Sequence, residues 1–153
     1  MRRNPGQPML TTALGRPEIA ALIPHAGAMC LLDRVRSWDA TTIVCTASSH
    51  RNPSNPLARD GSLYAVCGIE YAAQAMAVHG ALTATEGRRP KAGYLASVRE
   101  VTYHSNRLDL LTVDLEITAT RLAGSQANAL YSFSLRCGLA PILTGRAAVV
   151  LDA

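Results

Sequence analysis

The chain has 153 residues, 48% of them hydrophobic and 17% charged. That supports one domain with an ordinary core and excludes a disordered chain. The net charge is formally +4, with an isoelectric point near 9.1, but the arginines are scattered and no basic stripe with aromatics or known motif appears, which argues against nucleic-acid binding.

Residues 1–15 begin Met-Arg-Arg-Asn-Pro-Gly-Gln-Pro and are expected to be a mobile N-terminal segment. No apolar stretch follows Arg2-Arg3, so no signal peptide is expected. A single domain is expected over residues 16–153. Residues 17–23 open with Pro17 and Glu18, which predicts a short helix closed by Pro24. Residues 30–37 and 41–48 are rich in strand formers and flank Trp38-Asp39-Ala40, which predicts a hairpin. Residues 51–61 carry Pro53, Pro56, Asn52, Asn55, Asp60 and Gly61 and read as a loop.

Residues 63–82 are apolar on nearly every face, which predicts a long buried helix. Its length would reach across a membrane. Glu70, Gln74, His79 and two glycines inside it argue instead for a buried helix of a soluble protein, with no membrane span. Gly87 and Pro90 end it, and Arg88, Arg89 and Lys91 form a short basic spot there. Strands follow over 94–104, 110–122 and 127–137, the last two with a clear period of two, and over 147–151. The expected fold is α+β: a long central helix wrapped by an antiparallel sheet of about six strands, its last four running as a meander. One curved sheet leaves part of such a helix uncovered, so a second subunit is expected to complete it.

The four cysteines, Cys30, Cys45, Cys67 and Cys137, show no paired or metal-ligand spacing. Cys30, Cys45 and Cys67 read as buried small hydrophobes, and the cysteine usage is that of a reducing, cytoplasmic compartment. Neither a metal nor an organic cofactor is expected.

Glu70 is the only formally charged residue of the apolar helix. A carboxylate in low dielectric is either paired for structure or tuned for proton transfer. Gly68, beside it, lets either a substrate or the sheet approach closely. Tyr64 and Tyr71 read either as core or as the lining of a tunnel. Gln74, one turn on, is expected to orient Glu70 or a strand carbonyl.

Two stretches carry a family resemblance. Leu22-Ile23-Pro24-His25-Ala26-Gly27-Ala28-Met29-Cys30-Leu31-Leu32-Asp33-Arg34-Val35 resembles the opening of the FabZ-type 3-hydroxyacyl-[acyl-carrier-protein] dehydratases. Ile69-Glu70-Tyr71-Ala72-Ala73-Gln74 is similar to their central-helix signature, Glu-x-x-Ala-Gln. The details are most like the dehydratase-like proteins of aryl-polyene gene clusters. The resemblance implies a hot-dog fold and a reaction without metal or nucleotide. A 3-hydroxyacyl thioester on an acyl carrier protein would become the trans-2-enoyl thioester. It also implies Glu70 as a catalytic carboxyl and Ala65 as the backbone donor to the thioester carbonyl. In typical members a catalytic histidine stands fourteen positions before the helix glutamate, and here that position is Pro56.

Either another histidine takes that role or the chain is not catalytic alone. His25 is the first candidate, because an imidazole titrates near neutral pH; His50 is the second, and His79 and His104 are expected to be structural and solvated respectively. Three functions stay open: the dehydratase, a non-catalytic partner in a dehydratase heterodimer, and a thioesterase of the same fold. The expected partners are an acyl carrier protein and a second subunit, identical or related.

Overall fold

The computed structural model of the chain describes residues 13–23, 27–84, 93–125 and 127–151. Helix α1 spans Arg16–Leu22, with Pro17 and Glu18 in its first turn and Ile19 buried. The preceding Leu14 pairs with Val35. Strands β1 (Arg34–Trp38) and β2 (Thr42–Ala47) form the expected hairpin. Its turn closes because the Asp39 carboxylate accepts from the N–H of Thr41 at 2.9 Å and of Thr42 at 2.8 Å. Residues 30–32, expected in the first strand, are buried loop instead, because their backbone is bonded to side chains described below.

A 3-10 turn, Ala65–Cys67, leads into helix α2, Gly68–Thr83. The apolar run therefore enters as extended chain: Tyr64 bridges Arg107, and Leu108 N–H donates to the Leu63 carbonyl at 2.7 Å. Long-range pairing overrides the local helical reading at residues 63 and 64.

Strands β3 (Gly93–Tyr103), β4 (Leu115–Gly124), β5 (Asn128–Cys137) and β6 (Ala140–Leu151) complete one six-stranded sheet in the order β1-β2-β4-β5-β6-β3. Every neighbouring pair is antiparallel. The four-strand meander is corrected here. Only β4, β5 and β6 run as one; β3 lies beyond β6 at the sheet edge, and the chain crosses over to begin β4 beside β2. Alternation turns Leu115, Ile117, Tyr131, Phe133 and Leu135 inward onto α2.

Helix α2 is not buried all round. Tyr71, Ala72, Gln74, Ala75, Met76, Val78 and His79 are buried, whereas Ile69, Glu70, Ala73, Ala77 and Gly80 are half-buried. The latter recur at helical spacing and form one stripe, apolar apart from Glu70, that the chain's own sheet leaves uncovered. The expectation of an uncovered face on this helix is met. Helix α2 ends at Thr83; the expected break at Gly87 and Pro90 and the basic spot of Arg88, Arg89 and Lys91 lie outside the described residues.

Candidate functional site

The approach to α2 is fixed before Glu70 is reached. Arg107 grips both carboxylate oxygens of Asp109 and holds that carboxyl down at about 2. The same carboxylate accepts from Leu63 N–H at 2.8 Å. Two residues on, Ala65 N–H donates to the Asn106 carbonyl at 2.8 Å. That donor is spent on the fold, so Ala65 does not offer an open N–H to a thioester carbonyl in this chain.

Gly68 resolves toward packing. A Cβ there would lie 2.5 Å from a Leu143 methyl and 3.0 Å from a Leu135 methyl. The missing side chain lets the first turn of α2 press onto β5 and β6, and no room for substrate is left on that side. Glu70 follows in the first helical turn, half-buried rather than sealed in the core. It lies where the peptide dipoles of the helix present their positive end.

Tyr71 and Gln74 point the other way, into the core, and each is held by hydrogen bonds there. Gln74 is fully buried; its Oε1 accepts from Leu31 N–H at 2.9 Å, and its Nε2 donates to the Met29 carbonyl at 2.7 Å. It thus clamps the segment that follows His25, rather than Glu70 or a strand. Tyr71 is also fully buried, with its hydroxyl 2.7 Å from Ser49 Oγ and 3.1 Å from Asn55 Nδ2. Ser49 Oγ donates to the Leu31 carbonyl at 2.8 Å, and Asn55 Nδ2 also donates to the Ser49 carbonyl at 2.9 Å. Tyr71 is therefore a core residue and not the wall of an open tunnel; Tyr64 is half-exposed at the helix entrance. Ser49 and Asn55 were not legible as site residues: nothing in their spacing singles them out, and only the neighbouring Pro56 marks their loop.

Two of the three described histidines are committed to the fold. His79 is sealed in the core; its Nε2 donates to the Asp39 carbonyl at 2.9 Å, so its Nδ1 accepts from the Tyr131 hydroxyl at 2.7 Å. Burial pulls its pKa below the usual value. His50 is equally buried and donates through Nε2 to the Val113 carbonyl at 3.0 Å, fastening the Ser49–Arg51 turn to the segment before β4. Its Nδ1 has no partner of good hydrogen-bond geometry, and burial lowers its pKa too. His104 is exposed just past the end of β3. His25, the first imidazole candidate, lies outside the described residues.

Cys30 and Cys45 are buried, and burial pushes the Cys45 thiol up to about 12; Cys67 and Cys137 are half-buried, not the core hydrophobe expected of Cys67. Among the described residues no three His, Cys, Asp or Glu side chains converge as a metal site. None of their helices is long and apolar enough to cross a membrane. A recess of about 340 Å³ over Thr118, Ser132, Ser134 and Thr144 lies on the outer face of the sheet, so it is separate from Glu70. What the site offers is proton chemistry: a carboxyl on a half-open helix face, backed by two loops tied to the same helix.

A family model described as ApeP-like, ApeP dehydratase, matches residues 17–151. Among solved structures, a chain of the dehydratase heterocomplex ApeI:P from Xenorhabdus doucetiae is 22% identical with a TM-score of 0.78, over 88% of this chain and 91% of that one. A mutant thioesterase from Pseudomonas aeruginosa is 11% identical with a TM-score of 0.66, over 91% of this chain and 94% of that one. Zebra fish thioesterase superfamily member 2 is 18% identical with a TM-score of 0.61, over 90% of this chain and 95% of that one. At such identities these likenesses show the hot-dog fold alone. No curated protein sequence matches the chain.

Proposed function

The chain belongs to the ApeP-like dehydratase family, and from that premise we propose that it supplies Glu70 to the dehydration of a 3-hydroxyacyl thioester carried by an acyl carrier protein. In this reading an imidazole removes a proton from C2 while Glu70 protonates the hydroxyl leaving C3. The C2–C3 double bond forms, water departs, and the product is the trans-2-enoyl thioester. Acid and base must then flank one carbon–carbon bond. The aryl-polyene setting follows from the motifs around His25 and Glu70.

The observation that carries the reading is the position of Glu70 in the first turn of α2, on the one stripe of that helix which the chain's own sheet leaves uncovered. The three described histidines serve the fold or lie in solvent, and Pro56 stands exposed where typical members hold theirs. The imidazole therefore comes from His25 or from a related subunit laid over the α2 stripe. The second source is favoured by the uncovered stripe itself. It is also favoured by the likeness to a heterocomplex of two dehydratase chains. With Ala65 N–H bonded to Asn106, the thioester carbonyl would be met by a later N–H of the helix entrance or by the partner. The formal charge of +4 suits an acidic carrier. Four free cysteines suit the cytoplasm.

The test is turnover of one 3-hydroxyacyl-carrier substrate by the purified chain, alone and mixed with the related dehydratase of its gene neighbourhood. Enoyl product from the mixture, with a mass equal to a heterodimer, supports the reading. Release of free acid without enoyl product would instead make the protein a thioesterase.

A further inference from the structure

We propose that Tyr71 is a positioning residue for proton transfer at Glu70, acting through a directional hydrogen-bond relay that ties two separate loops to helix α2. The proposal rests on the reading of Glu70 as the proton-transferring carboxyl. The direction of the relay is forced by its ends. The Leu31 carbonyl can only accept, so the Ser49 hydroxyl donates to it, at 2.8 Å. Ser49 Oγ must then accept from the Tyr71 hydroxyl, at 2.7 Å. The Tyr71 oxygen in turn accepts from Asn55 Nδ2, at 3.1 Å. Asn55 Oδ1 accepts from Leu57 N–H at 2.9 Å, which closes the loop around Pro56.

One hydroxyl thus joins three parts of the chain: the helix that bears Glu70, the segment at Leu31 that follows His25, and the loop that places Pro56. Gln74, three residues on along the same helix face, grips the Leu31 segment from the other side. Burial pushes the Tyr71 phenol up, which keeps its O–H in place as a donor. The relay has no donor to spare for a substrate, so the role of Tyr71 is to hold and not to react. Tyr71 directly follows Glu70 at the start of α2, so the bonds at its hydroxyl fix the turn that carries Glu70, and an error of about 1 Å in such a site costs on the order of a hundredfold in rate.

Removing this one oxygen changes side-chain volume little, so Tyr71→Phe separates placement from packing. In the complex with the related dehydratase partner, Tyr71→Phe is expected to lower kcat at least about tenfold with KM unchanged within about twofold. Ser49→Ala should do the same, and Ser49→Thr, which keeps the hydroxyl, should recover most of the loss. The double variant Tyr71→Phe with Ser49→Ala should be no slower than the worse single, because both break one relay. Wild-type kcat in Tyr71→Phe, or losses that multiply in the double variant, would overturn the proposal. Should Tyr71→Phe fail to fold, the Ser49→Ala and Ser49→Thr pair is decisive by itself: equal kcat in both would overturn the proposal. Glu70→Gln in the same preparation separates the two readings. If it retains activity, the role of Glu70 and this proposal fall together. If it is inactive while Tyr71→Phe is not, only the relay is lost.

Discussion

Acid should loosen this fold through the two imidazoles buried among the described residues, His50 and His79, and His79 gives the sharper case. Both its ring nitrogens are used in the neutral form, Nε2 donating to Asp39 and Nδ1 accepting from Tyr131. A second ring proton would turn that acceptor into a donor facing a hydroxyl already committed to it, inside a site with no solvent contact. Burial is the main reason its pKa is lowered, with the Arg121 charge acting in the same direction. His50 is lowered first by burial as well. The unfolded chain takes up each proton near pH 6.5 while the folded chain does not. Stability from both groups is therefore full above that pH and is lost as pH falls below it. Each imidazole contributes a slope of at most about 1.4 kcal/mol per pH unit, so the pair gives at most about 2.8 kcal/mol per pH unit below pH 6.5. Asp39 and Asp109, whose pKa values are lowered below 3.8, titrate later and do not blur this window. Urea unfolding at pH 7, 6 and 5, at one protein concentration, measures the slope. His79→Gln offers one acceptor and one donor but does not titrate, and should remove up to half of it. A protein more stable at pH 5 than at pH 7, or a slope indifferent to His79→Gln, would refute the reasoning.

Two further substitutions probe how the site is built. Gln74→Leu leaves Leu31 N–H and the Met29 carbonyl without their partner, and should cost about 2–5 kcal/mol by urea unfolding; a loss under about 1 kcal/mol would mean that water replaces the clamp. Gly68→Ala drives a methyl against Leu143 and Leu135, and should cost about 1–3 kcal/mol in the same assay; a gain in stability would show that the helix start has room to move.

Much of this architecture is legible in the sequence, and the failures have physical causes. The alternation through Ile117 and Phe133 announces strands because sheet faces repeat every two residues, whatever their neighbours. Strand order is different: nothing local in residues 93–103 says that they pair with β6 and not β4. The helix was legible from its apolar length, but its start was not, because Leu63 and Tyr64 read as helix until Asp109 and Arg107 pair with them. Glu70 was legible as the lone carboxylate of that run, while its half-exposed position depends on which face the sheet covers. Of the polar partners, Gln74 was visible by its helical spacing. Ser49 and Asn55 were not, since the bonds to Tyr71 span 22 and 16 residues with no periodic signal.

The most direct test of the central claim is the Glu70→Gln variant, assayed with the related dehydratase partner on a 3-hydroxyacyl-carrier substrate. Glutamine keeps the shape of the side chain and cannot deliver the proton. Enoyl formation should fall by on the order of a hundredfold or more, with the heterodimer mass and unfolding midpoint held. Turnover within a few fold of wild type in an intact heterodimer would contradict the account.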